Sequence, residues 1–87
     1  MSKTVNFYVY IAKCSDGTFY TGYTTDIKIR EKEHNGLGKP GAKYTRSRRP
    51  VKIIHIEKFN SKSMAMKREI EIKKLTHEGK KLLVASL

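Results

Sequence analysis

Apolar and polar positions alternate in three stretches of the chain, and each stretch predicts a β-strand. Residues 6–13 and 18–23 are rich in β-branched and aromatic side chains, and a Ser-Asp-Gly turn separates them. This arrangement predicts a β-hairpin. The first stretch carries apolar side chains on both faces, so it is expected to be an inner strand rather than an exposed edge. Residues 51–59 alternate in the same way and are expected to complete a small antiparallel sheet.

Helical signals follow the hairpin and the third strand. Asp26 is expected to cap a helix over residues 27–35, which Asn35 and Gly36 end. A serine-capped stretch over residues 61–75 predicts the longest helix, and residues 78–87 predict a short C-terminal helix. Residues 36–50 form a long connection with room for a helical turn at residues 42–45. The predicted fold class is α+β, a three-stranded antiparallel sheet flanked by helices, as a single domain over residues 1–87.

Both main helices carry polar side chains on faces where a purely structural helix would be apolar. Ile27, Arg30 and His34 share one face of the first helix, because their spacing is i, i+3, i+7. Gly22, inside the second strand, indicates a bulge or a group that approaches the backbone closely. The inward stripe of the longest helix has a carboxylate in its middle and consists of Ala65, Glu69, Ile72 and Leu75.

The charge of the chain points to a polyanionic partner. Nineteen Lys and Arg residues face eight Asp and Glu residues, which gives a formal net charge of +11. A small domain needs a net charge of only ~2–8 for solubility. The excess favours nucleic acid first and an anionic membrane surface second. Charge alone would favour a ribosome-associated or chromatin-type binder without catalysis.

The connection over residues 36–50 concentrates part of this charge. Connections of this length in a compact domain are usually functional or disordered. Contact with phosphates is the expected role, and a solvated mobile loop is the alternative. The residues expected to bind nucleic acid are Lys39, Lys43, Tyr44, Arg46, Arg48 and Arg49.

Several classes of protein are disfavoured by the composition. Cys14 is the only cysteine, so an intrachain disulfide is excluded and nothing indicates an oxidising compartment. The sequence has no apolar run approaching the ~18 residues of a membrane span. It also shows no secretory signal, so we expect a cytoplasmic protein without membrane association. A chain of this size has little room for a buried cofactor, which favours a surface site.

The unusual polar residues form a set that suits cleavage of a phosphodiester bond. A single carboxylate such as Glu69 can hold one Mg²⁺ or Mn²⁺ ion, and Arg30 can neutralise charge on phosphoryl oxygens. A tyrosine whose pKa is lowered by the cation and the arginine could act as general base. Structural alternatives remain for each group. Strand tyrosines usually pack, Glu69 could pair with a neighbouring cation, and His34 could interact with the helix dipole.

The same residues resemble the GIY-YIG nuclease domain in their order and spacing. Residues 8–10 (Tyr-Val-Tyr) and 20–22 (Tyr-Thr-Gly) stand where that family has its two name motifs. Arg30 follows eight residues after the motif glycine, His34 follows four residues later, and Arg68-Glu69 matches the family's Arg-Glu pair. The similarity covers residues 7–75 and is closest to small stand-alone bacterial members. Residues 41–50 also resemble the nuclease subunit that cuts branched DNA in eukaryotes.

The resemblance implies a metal-dependent endonuclease acting on DNA, with a structure-specific substrate and a role in DNA repair as expectations. It implies that Tyr10 is the base, that Tyr20 is hydrogen-bonded nearby, and that Arg30 stabilises the phosphoryl group. His34 would share the base or orienting role, and Glu69 would hold one Mg²⁺ or Mn²⁺ ion. The alternative is a nucleic-acid-binding module or subunit with little or no catalysis, which a protein partner targets. A monomer or weak dimer is expected.

The chain departs from the family pattern at three points. Tyr8 replaces the first glycine of the name motifs, and Thr21 replaces the second isoleucine, but neither position carries the chemistry. Many relatives also have an asparagine after the glutamate helix, and no asparagine follows Asn60 here. Lys13 matches a lysine that some relatives use, but strand parity predicts that it points away from Tyr10.

Overall fold

The structure is a computed structural model that describes residues 5–38 and 42–86. Within these residues the predicted α+β fold is confirmed: three antiparallel strands form one sheet with helices against it. The strand order β2-β1-β3 makes the first strand the inner one, as its two apolar faces predicted. The elements are β1 Phe7–Lys13, β2 Phe19–Thr24, α1 Ile27–His34, α2 Lys43–Arg46, β3 Lys52–Phe59, α3 Lys62–Lys73 and α4 His77–Ala85.

The two faces of the sheet carry separate cores, because side chains alternate along the inner strand. Val9 and Ile11 of β1 point to one face and are fully buried against Ala65 and Ile72 of α3. The other face is built around Tyr10, Ala12, Cys14 and Val51, with Tyr20, Ile27 and Ile53 packed beside them. The active-site candidates of the first half of the chain therefore lie on the face opposite to α3.

Helix α1 and its C-cap residue Asn35 are fixed by side-chain hydrogen bonds to the backbone of β3 and of the residue before it. Asn35 accepts a hydrogen bond from Val51 N (2.7 Å) and donates to Val51 O (2.8 Å). Glu31 Oε2 accepts a hydrogen bond from Ile53 N at 2.7 Å. At the same place the pairing of β1 with β3 shifts by one residue: Ile11 opposes His55, and Ala12 opposes Ile53. A bulge in β3 thus accompanies the docking of α1.

The helix ends agree with the capping residues read from the sequence, with one correction. Asp26 and Ser61 cap α1 and α3 as predicted, and each side chain accepts a backbone N–H of the first turn. Thr76, which was not predicted as a cap, does the same for α4. The longest helix ends at Lys73, so Leu75 lies beyond it and is 39% exposed. The prediction that Leu75 continues the buried stripe is wrong, whereas Ala65 and Ile72 are completely buried.

No helix within residues 5–38 and 42–86 has the length and apolar character needed to cross a membrane.

Candidate active site

Three of the predicted site residues form one hydrogen-bonded group on the α1 side of the sheet. Tyr10 Oη lies 2.6 Å from His34 Nε2, and Arg30 Nε donates to Tyr10 Oη at 3.3 Å. Tyr10 and His34 are completely buried, whereas the Arg30 side chain is 25% exposed. The predicted common face of α1 is therefore confirmed, and it carries Arg30 and His34 onto the tyrosine of the inner strand.

Gly22 makes this arrangement possible, because the Tyr10 hydroxyl occupies the space that a side chain there would need. A Cβ atom at residue 22 would lie 2.6 Å from Tyr10 Oη and 3.0 Å from Cε2 of Tyr20. Tyr10 and Gly22 are direct partners in the β1–β2 register. The close approach predicted from a glycine inside a strand is confirmed, and it explains in steric terms why the second motif ends in glycine.

Tyr20 joins the group through its ring rather than through a hydrogen bond. Its centroid is 5.1 Å from the His34 ring, edge to face, and 6.3 Å from the Tyr10 ring. The described residues give the Tyr20 hydroxyl no hydrogen-bond partner, so the expected bond between the two tyrosines is absent from this part of the structure. Tyr20 is partly buried and stacks on Tyr44 at 5.9 Å.

Burial dominates the electrostatics of the Tyr10–His34 pair. It raises the pKa of Tyr10 to about 12, and the hydrogen bond and positive charge of Arg30 offset only part of this rise. Arg30 therefore acts in the expected direction, but burial outweighs it in the protein alone, and the expected contribution of the cation stays a prediction. Burial and the Arg30 charge lower the pKa of His34 to about 4. His34 is consequently neutral near pH 7, which argues against a cationic histidine stabilising the helix dipole.

The lowered pKa of His34 predicts a loss of stability as the pH falls from about 6.5 toward 4. In this window the unfolded chain binds a proton on His34, with its ordinary pKa of 6.5, whereas the folded protein excludes it. The free energy of unfolding should fall by on the order of 3 kcal/mol, since the pKa differs by about 2.5 units between the two states and one pKa unit corresponds to about 1.4 kcal/mol. Urea unfolding of the wild type across this pH range measures the loss.

A His34→Gln variant should lack this pH-dependent step, and the exposed His77→Gln should keep it. Glu57 adds a separate loss at the acidic end of this range, because the hydrogen bond from Arg68 lowers its carboxyl pKa below the ordinary 4.5. That contribution is lost as the pH falls from about 4.5, where the unfolded carboxylate takes up a proton, so the loss between pH 6.5 and about 5 reports His34. An equal loss of stability in His34→Gln would contradict the assignment to His34.

No hydrogen bond among the described residues joins Glu69, the fifth predicted catalytic residue, to the other four. Its side chain is only 15% exposed, as the inward position on α3 predicted, while Ala65 and Ile72 of the same helix pack on the sheet face opposite to Tyr10. Among the described residues Glu69 makes an ion pair with Lys73, whose Nζ lies 3.7 Å from Glu69 Oε2. The negative charge of Glu69 is one of the influences that raise the pKa of Tyr10. The carboxylate is thus electrostatically coupled to the tyrosine without a hydrogen bond between them.

The donor set of the described residues fits one shared divalent cation rather than an all-protein metal cage. No three His, Cys, Asp or Glu side chains cluster there as a metal site. Mg²⁺ commonly takes one or two protein carboxylates and completes its coordination with water and phosphate oxygens. Glu69 accepts no hydrogen bond from a described residue, and its one ion pair is long. Its carboxylate oxygens are therefore suited to such a cation.

The basic connection is only partly available for binding. Arg48 lies over the Tyr44 ring (4.2 Å) and pairs with Asp16 (Nε to Oδ2, 3.0 Å). Arg49 Nε donates to the backbone oxygen of His34 at 2.8 Å. Lys43 and Arg46 are exposed, and neither has an ion pair among the described residues. Tyr44 is 40% exposed. The expected contact at Lys39 lies outside the described residues.

The other two histidines, the cysteine and Lys13 lie in surroundings that indicate a structural role or a position away from Tyr10. His55 is buried, and its Nε2 lies 2.8 Å from Glu57 Oε2. His77 is exposed and stacks on Phe19 with ring centroids 4.6 Å apart. Cys14 is a buried thiol. Lys13 is exposed and alternates away from Tyr10.

One buried residue at the site was not predicted. Thr45 in α2 is completely buried, and its Oγ1 lies 2.8 Å from His34 Nδ1. Its neighbours in sequence are exposed cations and Tyr44, so periodicity gave no signal for it. Its place in the segment that resembles the branched-DNA nuclease subunit was the one available indication.

Comparison with known proteins agrees with this fold and this set of residues. Residues 6–82 match the GIY-YIG catalytic domain. The chain therefore belongs to the GIY-YIG catalytic domain family, and the family identified from the two tyrosine motifs is confirmed.

Within that family the chain is similar to small proteins of the UPF0213 group. It is 55% identical over 76 residues to a UPF0213 protein of Halobacterium salinarum, with 87% of this chain and 96% of the relative covered. It is 54% identical over 84 residues to a UPF0213 protein of Syntrophus aciditrophicus, with 97% and 92% covered. The expected similarity to small stand-alone members is confirmed, because the alignments span nearly all of both chains.

Two solution NMR structures share the fold. The UPF0213 protein BH0048 from Bacillus halodurans has a TM-score of 0.59 and 50% identity, with 92% of this chain and 83% of that chain covered. The protein EF2693 from E. faecalis has a TM-score of 0.64 and 45% identity, with 99% and 90% covered. These relatives support the sheet and helix arrangement, and their names carry no activity.

Proposed function

We propose that this protein is a metal-dependent endonuclease that hydrolyses phosphodiester bonds, with DNA as the substrate. The observation that carries the proposal is the Arg30–Tyr10–His34 group, in which an arginine, a phenol and a neutral imidazole are hydrogen-bonded in series. Three polar groups at these inward positions do not stabilise a core, because burying polar side chains costs free energy and burying apolar ones does not. Membership of the GIY-YIG family supports the same reaction class.

Arg30 is the member of this group that reaches solvent, and we assign it to the phosphate. It lines a shallow groove of about 320 Å³ with Tyr23, Thr24, Thr25 and Glu33 at the β2 edge of the sheet. The Arg30–Glu33 ion pair (Nη1 to Oε1, 3.1 Å) keeps the guanidinium at the floor of the groove. A guanidinium here would bind phosphoryl oxygens and stabilise the charge that develops on them during attack.

Tyr10 and His34 are assigned to the transfer of the proton that the attacking water loses. The water O–H bond breaks as its proton passes to Tyr10 Oη, and the phenolic proton passes to His34 Nε2. The water oxygen forms the new bond to phosphorus as the bond to the departing sugar oxygen breaks, the departing oxygen takes up a proton from solvent water, and His34 returns its proton to solvent after the reaction. Tyr10 then relays a proton and need not exist as a phenolate, which agrees with its pKa of about 12. Arg30 covers the Tyr10 oxygen, so the guanidinium must move toward the phosphate before a water can reach it.

Glu69 is assigned to the divalent cation, Mg²⁺ or Mn²⁺, which would supply Lewis-acid stabilisation of the departing oxygen when bound. The bound cation would also reduce the net negative charge near Tyr10, because Glu69 is the carboxylate whose charge acts on that tyrosine.

We expect the bound nucleic acid to extend from the groove along α2. Tyr44, which is 40% exposed, stacks on Tyr20 at 5.9 Å and has the Arg48 guanidinium 4.2 Å from its ring centroid, and these three residues form an aromatic and cationic stack beside the site. The exposed cations Lys43 and Arg46 flank this stack and would contact phosphates, while Arg48 and Arg49 support it through their internal contacts. Lys39 lies outside the described residues, and its contact with nucleic acid stays a prediction from the sequence.

The experiment that tests the proposal is a cleavage panel over duplex, single-stranded, flap and branched DNA, with an RNA arm. We expect cleavage of at least one DNA substrate with Mg²⁺ or Mn²⁺ and none in excess EDTA. Internal nicks, rather than release of terminal nucleotides, would support an endonuclease. Cleavage that persists in EDTA would overturn the metal-dependent mechanism, and preferential cleavage of RNA would overturn the assignment of the substrate.

A second candidate function is a nucleic-acid-binding module with little or no catalysis. The complete burial of Tyr10 favours it, since a base that no water touches cannot react in this conformation. It predicts salt-dependent binding of every DNA in the panel without cleavage under any metal condition. A protein partner would then supply the target.

A further inference from the structure

Thr45 occupies an unusual position in the chain. Helix α2 is only four residues long, and its other members are exposed, but Thr45 has no solvent-accessible surface. Its hydroxyl contacts His34 Nδ1 at 2.8 Å and donates to the carbonyl oxygen of Ala42 at 3.0 Å. Thr45 therefore touches the imidazole on the side away from Tyr10.

Counting donors and acceptors assigns the protons along this chain of contacts. The Tyr10 hydroxyl proton has one acceptor among the described residues, His34 Nε2, because Arg30 Nε can only donate to Tyr10 Oη. A neutral imidazole that accepts at Nε2 carries its proton on Nδ1, so His34 donates to Thr45 Oγ1, and the Thr45 hydroxyl donates to the Ala42 carbonyl. His34 Nε2 is left as an acceptor for the Tyr10 hydroxyl, while Tyr10 Oη accepts from Arg30 Nε. Every proton has an acceptor.

The opposite tautomer would break this order at both ends. With the proton on Nε2, His34 would donate to Tyr10, whose own proton would have no acceptor among the described residues. Thr45 would have to donate to Nδ1, and its 3.0 Å contact with the Ala42 carbonyl would lack a proton, while that carbonyl would still accept Thr45 N at 3.1 Å. Because unsatisfied buried donors are costly, the geometry favours one tautomer.

We infer that Thr45 is a positioning residue of the active site, whose buried hydroxyl holds His34 in the tautomer that can accept the proton of Tyr10. The catalytic part of this inference rests on the proposed nuclease function. In the step described above, the phenolic O–H bond breaks and its proton joins His34 Nε2. The resulting imidazolium keeps its Nδ1 proton bonded to Thr45, so no ring flip is needed. With Nε2 already protonated, the same transfer would be blocked.

The first test is independent of catalysis. Nitrogen-15 NMR of the histidine ring distinguishes a protonated from an unprotonated ring nitrogen in wild-type protein near neutral pH. We expect Nδ1 of His34 to carry the proton and Nε2 to be unprotonated. A wild-type spectrum with Nε2 protonated would overturn the inference, whether or not the variants below fold.

The second test compares Thr45→Val with Thr45→Ser. Valine keeps the shape but removes the hydroxyl, so the His34 signals should shift toward the other tautomer or a mixture. Cleavage should fall by about 10- to 100-fold, since a positioned general base contributes ~10²–10⁴-fold. Serine restores the hydroxyl and should restore both the wild-type spectrum and most of the rate. A valine variant with the wild-type tautomer, or a serine variant that restores neither property, would overturn the inference.

The two proposals fail separately. A protein that cleaves nothing but shows the Nδ1-protonated tautomer, lost in Thr45→Val and restored in Thr45→Ser, would refute the nuclease and retain the positioning role. A protein that cleaves DNA with an unchanged tautomer in Thr45→Val would do the reverse.

Discussion

Replacing Glu69 with alanine is expected to reduce metal-dependent cleavage by more than ~100-fold. A bound cation contributes several kcal/mol of charge stabilisation in such reactions, and ~1.4 kcal/mol corresponds to tenfold in rate. Affinity for DNA should be unchanged or slightly higher, because the formal charge of +11 rises by one. Single-turnover cleavage and fluorescence-anisotropy binding at several salt concentrations measure the two effects.

Glu71→Ala is the matched control, since it removes the same charge from the same helix. Glu71 is mostly exposed and pairs with Arg68 at 3.3 Å, so this variant should retain the wild-type rate. A Glu69→Asp variant keeps the carboxylate and should require more Mg²⁺ than the wild type. Equal rates for Glu69→Ala and the wild type, at equal Mg²⁺ concentration, would remove Glu69 from the mechanism.

The fold followed from the sequence because its signals were local. Strand β1 has apolar side chains on both faces and lies in the middle of the sheet. The capping side chains Asp26 and Ser61 gave the starts of α1 and α3 correctly. The error at Leu75 arose because spacing along a helix says nothing about where the helix ends, and α3 ends at Lys73.

The candidate site could be predicted only in part, because only some of its residues have a signal in the local sequence. The spacing of Arg30 and His34 placed both on one helix face, and a strand glycine indicated the close approach of Tyr10. The tertiary contacts had no local signal. Contact between Thr45 and His34 depends on how the connection folds back over α1, and burial reversed the expected direction of the Tyr10 pKa shift. Which sheet face Glu69 occupies likewise depends on the packing of α3 rather than on its own stripe.

Tyr10→Phe is expected to lower the cleavage rate by at least ~100-fold, because general acid–base groups contribute ~10²–10⁴-fold. The ring still fills its buried position, so the sheet should form. His34 Nε2 would lose its donor, and Arg30 Nε would lose an acceptor. Leaving a buried polar atom without a partner costs about 1–3 kcal/mol, which a urea titration would measure as a lower free energy of unfolding.

Tyr8→Phe is the control for Tyr10→Phe. It distinguishes the loss of the proposed catalytic hydroxyl from the effect of removing a tyrosine hydroxyl elsewhere on β1. Tyr8 is two residues earlier on the same face of β1, is partly buried, and has no hydrogen bond among the described residues. Its variant should keep both rate and stability.

The Tyr10 variant also tests whether burial raises the pKa of Tyr10, since the wild type should then lose stability as the pH rises from 10 toward 12. In that range the unfolded tyrosine ionises, and the buried one, with its pKa near 12, stays neutral. A cleavage rate in the Tyr10→Phe variant equal to that of the wild type would show that this buried phenol has a structural role. The proton of the attacking water would then have to pass through another group.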